Sequence, residues 1–227
     1  MRHTTEGSKP LTVLRECLRP FQALNTAWGQ KLLTSTGRAG WLHCATHLYY
    51  VLKATDPLLQ FAVEAAEKRS EDLQAFIAWA RHHADEEREH YRWYRDDLRT
   101  MGIDPDKVEQ QPPDPHILRL INAQFALMEV RHPVALLGFF YATECHTPDA
   151  ENLRACARQF AIPEASLHTM LFHASADQQH RLEILDLVAR CAQKLAYGDA
   201  MLASAIEVLT GWTLFFKDAA ESLDKVA

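Results

Sequence analysis

An all-α protein is the expectation from this sequence, and three observations lead there. Apolar residues recur at helical spacing over long stretches. Glycines are few, eight in 227 residues. Most of the ten prolines fall where periodic segments break. With 48% hydrophobic residues the chain can bury one sizeable core, so a single domain is expected. Residues 1–10 read as a flexible polar tail and 11–227 as one helical bundle of about seven helices.

Periodicity starts near Leu11 and is interrupted at Pro20, at Gly37 to Gly40 and at Asp56-Pro57, which predicts two or three short to medium helices. Another runs from about Pro57 to Arg69. Ser70 followed by Glu71 and Asp72 suits an N-cap with acids in the first turn, and the pattern then continues to Met101-Gly102, predicting one long helix. The stretch GIDPDKVEQQPPDP is a connector rich in Pro and Asp, placed to act as a lid. Four segments follow, about His116 to Val130, Pro133 to His146, Pro148 to Phe160 and Pro163 to Leu195, with Pro148 and Pro163 suited to first helical positions. A last helix covers roughly Asp199 to Leu223.

A formal charge of −6 and the absence of a Lys/Arg block argue against nucleic-acid binding. The N-terminus lacks an apolar signal core, and the greasiest stretches look too short to span a membrane or carry a charge such as Glu207. A soluble, cytoplasmic protein is expected. Cys17, Cys44, Cys145, Cys156 and Cys191 contain no CxxC pair and read as reduced thiols. An apolar last helix with Trp212, Phe215 and Phe216 offers a surface for a homodimer.

The chemistry concentrates in three segments. HHADEEREHYRWYRDDL places His83, Glu87 and His90 at i, i+4 and i+7, within a stripe about 60° wide on a helix. LFHASADQQHRLEIL repeats that spacing with His173, Asp177 and His180. FFYATECHTP puts Glu144 on an otherwise apolar helix, where an acid costs several kcal/mol unless paired or bound to a cation. Imidazoles with carboxylates suit iron, manganese or zinc, and no thiolate cluster competes. His43 and His47 share the i, i+4 spacing without an acid and read as core-edge residues. Glu64, Glu67, Glu86 and Glu89 read as solvated or ion-paired.

These segments resemble the heme-oxygenase-like diiron oxidases and oxygenases, whose fold is related to thiaminase-type and pyrroloquinoline-quinone-synthase-type proteins. The resemblance runs from about Tyr49 to Phe215. It is carried by EEREHYRWYRDDLRTMG, similar to the family's Glu-x-x-His helix; GFFYATE, similar to its central-Glu helix; and HASADQQH, similar to its His-x-x-x-Asp-x-x-His helix. It implies a heme-oxygenase-like bundle, two ferrous ions, and Glu87, His90, Glu144, His173, Asp177 and His180 as ligands, with Glu87, Glu144 and Asp177 central to catalysis. It implies dioxygen and a small amino-acid-like or fatty-acid-like molecule as reactants. Some relatives carry a carboxylate where this chain has His83, so His83 is a further candidate ligand.

Three rival readings remain open at this level. A ferritin-like carboxylate bundle would need Glu64 or Glu67 as fourth donor, from a helix that looks too short. A metal-free enzyme of the same fold would use Cys145 as nucleophile, although adjacent helical residues diverge by about 100°. A heme protein would need His43 or His47 as axial ligand. Tyr141 could face the pocket, and Arg131, Arg154 or Lys53 could pair with a substrate carboxylate.

Overall fold

The computed structural model describes residues 9–146 and 148–223, apart from the side chains of Pro10, Asp177 and Gln178. Among them the fold is all helical: α1 (Lys9–Thr36), α2 (Arg38–Glu67), α3 (Gln74–Glu87), α4 (His90–Thr100), α5 (Pro105–Glu109), α6 (Pro115–Val130), α7 (Leu136–Thr143), α8 (Ala150–Gln159), α9 (His168–Cys191) and α10 (Leu195–Leu223), with short 3-10 turns before and after α7 and before α9. The expected tail overlaps the start of α1 at Lys9; its first eight residues lie outside the described ones.

The ten helices among the described residues exceed the expected seven, with α5 inside the expected connector and one expected helix split in two, while the prolines act in the opposite direction. Pro20 and Pro57 do not end helices but sit inside α1 and α2. A helix-interior proline costs about 3 kcal/mol. Around Pro57 the buried Thr55, Leu58, Leu59 and Ala62 offset that cost by packing into the core. The helix expected from Ser70 to Met101 is broken at Arg88-Glu89 into α3 and α4, with neither Pro nor Gly at the break. The irregularity falls inside Glu87-x-x-His90, and such interruptions concentrate at functional sites.

The proposed lid contains a short helix, α5, whose Asp104 side chain caps Asp106. It is pinned by the Tyr49 and Lys53 contacts to Glu109, by Arg95 with Asp106, and by the Tyr50 hydroxyl donating to the Val108 carbonyl. Those anchors oppose a lid role.

Helix α10 is the spine, packed along α1, α6 and α7. By length and composition alone it could cross a membrane, although it carries Glu207, the charge expected to set such a stretch apart. Here its Ala200, Met201, Ala205, Val208, Leu209 and Phe215 fill the core. Trp212 and Phe216, both partly buried, pack against that core too. Gly138 lets α7 lie directly on α10: a Cβ there would stand 2.0 Å from the Met201 carbonyl oxygen. That contact sets the depth of α7 and so of Glu144 beyond its end.

Candidate metal centre

Two clusters of potential ligands form where α3, α4, the end of α7 and α9 converge. His83, Glu144 and His180 compose one, and Glu87, His90 and His173 the other; within each, one ligand atom per residue lies within 4.8 Å of the others. His83, Glu87 and His90 are at most 2% exposed, and Glu144 and His180 are buried as well.

In the first cluster, His83 Nε2 and Glu144 Oε1 are 2.9 Å apart, and His180 Nδ1 lies 3.3 Å from Glu144 Oε2. The two imidazoles meet edge to face at 4.7 Å between centroids. Burial opposes a charged His83, yet neighbouring Glu144, with Glu87 behind it, outweighs burial and raises its pKa above the ordinary value. Trp79 stacks on His83 and Phe140 meets it edge-on, closing the apolar side. In the second cluster, His90 Nδ1 and Glu87 Oε1 are 2.8 Å apart, and the His90 and His173 rings meet at 4.7 Å. Trp93 and Phe172 pack against His90.

Local structure explains this convergence. Residues 83 and 87 are one turn apart on α3, so their side chains share a face. Thr143 returns its hydroxyl to the Phe139 carbonyl at 3.0 Å as α7 ends, and Glu144 opens a 3-10 turn. Asp97 of α4 accepts from the backbone amides of His168 and Thr169, at 3.2 and 2.9 Å. A carboxylate from another helix thus caps the start of α9 and fixes the helix that carries His173 and His180.

Of the residues expected as ligands, Glu87, His90, Glu144, His173 and His180 are brought together. Asp177 lies on α9 between the two histidines, but its side chain is outside the described residues. The expected ligand set omitted His83, and the first cluster includes it. Glu86 was expected at solvent or in an ion pair; it is partly exposed and lies 3.4 Å from His180 Nε2 and 3.5 Å from His83 Nδ1. Its position beside the His83 stripe was the available signal. Glu89 pairs with Arg92 at the surface, as expected.

The rival sites separate from this one. The Pro57–Arg69 helix is not short, being part of the 30-residue α2. Glu64 and Glu67 are nevertheless exposed, and Glu67 pairs with Arg81. Tyr141 and Cys145 line a different cavity from Glu144, together with Arg15, Arg19 and Arg181. His43 and His47 pack on Phe215, and burial lowers both pKa values, that of His47 to about 4.

A family described as iron-containing redox enzymes matches residues 43–212. The chain belongs to that family. The matched span holds both clusters of this iron-containing redox enzyme. The fold is also similar to a crystallised domain of unknown function with a heme oxygenase-like fold from Shewanella denitrificans OS217. The two share 18% identity and a TM-score of 0.79, over 93% of this chain and 91% of that one. No curated protein matches the chain.

Proposed function

We propose that this iron-containing redox enzyme is a non-heme diiron oxidase or oxygenase that uses dioxygen to oxidise a small organic molecule. The observation that carries the reading is the pairing of two neighbouring His/His/Glu groups, buried but for the half-buried His173, in one four-helix junction. Glu87, His90 and His173 would hold one ion. His83, Glu144 and His180 would hold the other, with Asp177 as a further donor from α9. The donor set fits ferrous iron: imidazoles and carboxylates without thiolate, and one carboxylate per cluster to offset charge.

Ferrous iron held by these residues would supply the electrons for the reduction of dioxygen. The protein's own part is positional and electrostatic. Trp79 and Phe140 pack on the His83 ring, and Trp93 and Phe172 on the His90 ring, giving both imidazoles aromatic neighbours. Asp97 holds the start of α9 in place. Glu144 beside His83 raises that imidazole's pKa, and because a ligating imidazole must be neutral, protons would compete with a metal ion at this cluster. Glu87 and Glu144 both border the cavity described below, so a substrate seated in it lies against both clusters.

The test is dioxygen uptake after anaerobic loading with ferrous iron. Uptake that needs iron and disappears in Glu144→Ala supports the proposal. Equal uptake by that variant, or uptake without iron, would sink it. The metal-free alternative gains no support, since Cys145 is turned to a separate cavity.

A further inference from the structure

Two chambers meet beside the clusters. The inner one, about 240 Å³, is bordered by Glu87, Glu144 and His173. The outer one, about 570 Å³, extends between α1, α2, α8 and α10 as far as Gly29, Trp41 and Phe216. Leu48, Thr143, Pro148, Leu153, Met170 and Trp212 line both and form the neck between them. The outer chamber alone falls in the size range of small-molecule pockets.

Charge is confined to one end. Among the described residues, no Lys, Arg or Asp lines either chamber, and the only acids are Glu87 and Glu144. The outer wall is apolar except for Asn25, Asn152, Thr143, the Tyr94 hydroxyl and two thiols. Tyr94 is engaged with the Ala45 carbonyl. Burial pushes the Cys44 thiol up to about 12 and raises that of Cys156, so both stay neutral. The basic residues that could have clamped a carboxylate lie elsewhere: Lys53 pairs with Glu109, Arg154 with Glu164, and Arg131 is exposed at the end of α6. An amino-acid zwitterion in the outer chamber would lose hydration at both charges without a countercharge.

We infer that the two chambers take one elongated substrate with an uncharged, apolar body, its polar reacting end in the inner chamber and its tail in the outer one. The inference builds on the proposed oxidase reading but concerns a separate property, the chemistry of the bound molecule. The Leu153 neck admits a narrow chain, and the wall near Cys156 and Gly29 limits its length.

The experiment is equilibrium binding of straight-chain primary alcohols and carboxylic acids to the full chain. It is run anaerobically, with and without ferrous iron, and followed by tryptophan fluorescence, since Trp41 and Trp212 face the outer chamber. Affinity is expected to rise about fourfold per added methylene until the outer chamber is full, with free amino acids binding far more weakly. Cys156→Phe, at a half-buried wall position, should bring the plateau to shorter chains while leaving the shortest ones unaffected. Leu153→Phe should weaken every chain long enough to cross the neck. Thermal melting checks that each variant folds, and the wild-type series decides alone if neither does. Affinity independent of chain length, or free amino acids binding tighter than chains, would overturn the inference. A plateau that stays put in a folded Cys156→Phe would also overturn it. Chain binding without iron uptake would instead remove the oxidase reading and leave the cavity assignment standing.

Discussion

Replacing His83 by alanine separates its structural role from its proposed role as a metal ligand. The imidazole is 1% exposed and stands 2.9 Å from Glu144 Oε1. Breaking a buried ion pair costs about 3–5 kcal/mol. His180 Nδ1 remains 3.3 Å from the other carboxylate oxygen, so Glu144 keeps a partner and the cost falls just below that range, about 2–3 kcal/mol. For a domain of this size each kcal/mol lowers Tm by about 2–4 °C, which gives a loss of about 4–12 °C in the metal-free protein. Losing even an outer partner of a metal ligand costs about 10–100-fold in affinity; losing a ligand should cost at least the upper figure for the ion at Glu144. Anaerobic titration with ferrous iron against a competing chelator, alongside a thermal melt, measures both. His83→Ala is expected to retain the ion at Glu87, His90 and His173 and to lose the other. His83→Gln, which keeps a hydrogen-bonding side chain, should recover much of the Tm without recovering the second ion. Two ions bound with wild-type affinity by His83→Ala would refute this assignment.

Further outcomes follow from other contacts. Gly138→Ala forces a methyl against the Met201 carbonyl and should cost at least the usual overpacking penalty of about 1–3 kcal/mol, read as a lower Tm. Asp97→Ala removes the acceptor of two amides and should cost about 1–3 kcal/mol, with faster hydrogen exchange at His168 and Thr169 and weaker iron binding at the His173 cluster. His47 and His132 both have folded pKa values lowered to about 4, chiefly by burial. Because the unfolded histidines titrate near 6.5, the unfolded state binds more protons between these values, so stability is full above about pH 6.5 and falls as pH drops toward 4. The combined loss between pH 7 and pH 5 is on the order of 2 kcal/mol after halving for solvent screening. His132→Asn, which keeps a cap for Val134, should flatten the slope in urea unfolding followed across that range.

The helical class and the convergence of three segments were legible because they rest on spacing. Positions i, i+4 and i+7 share a face whatever the tertiary context, so Glu87 and His90, and His173 and His180, could be paired on paper. Glu144 was legible from the cost of an acid in an apolar run. What periodicity could not show was which way each stripe is rotated against its neighbours. His83 and Glu86 were therefore underrated, although both sit on the same helix, because their partner His180 comes from α9 and only packing brings it near. Prolines misled the segmentation: Pro57 breaks an isolated helix, but burial on both sides carries α2 through it. The break at Arg88-Glu89 has no Gly or Pro to announce it. The role of Asp97 as a cap for α9 depends on an approach that no local pattern encodes.

The central claim, a paired iron site that reacts with dioxygen, is tested most directly by anaerobic titration of the apoprotein with ferrous iron followed by stopped-flow exposure to oxygen. Saturation near two ions per chain, then an oxygen-dependent visible absorbance change absent from Glu144→Ala, is the expected result. No specific iron uptake, or saturated iron that is inert to oxygen, would contradict it.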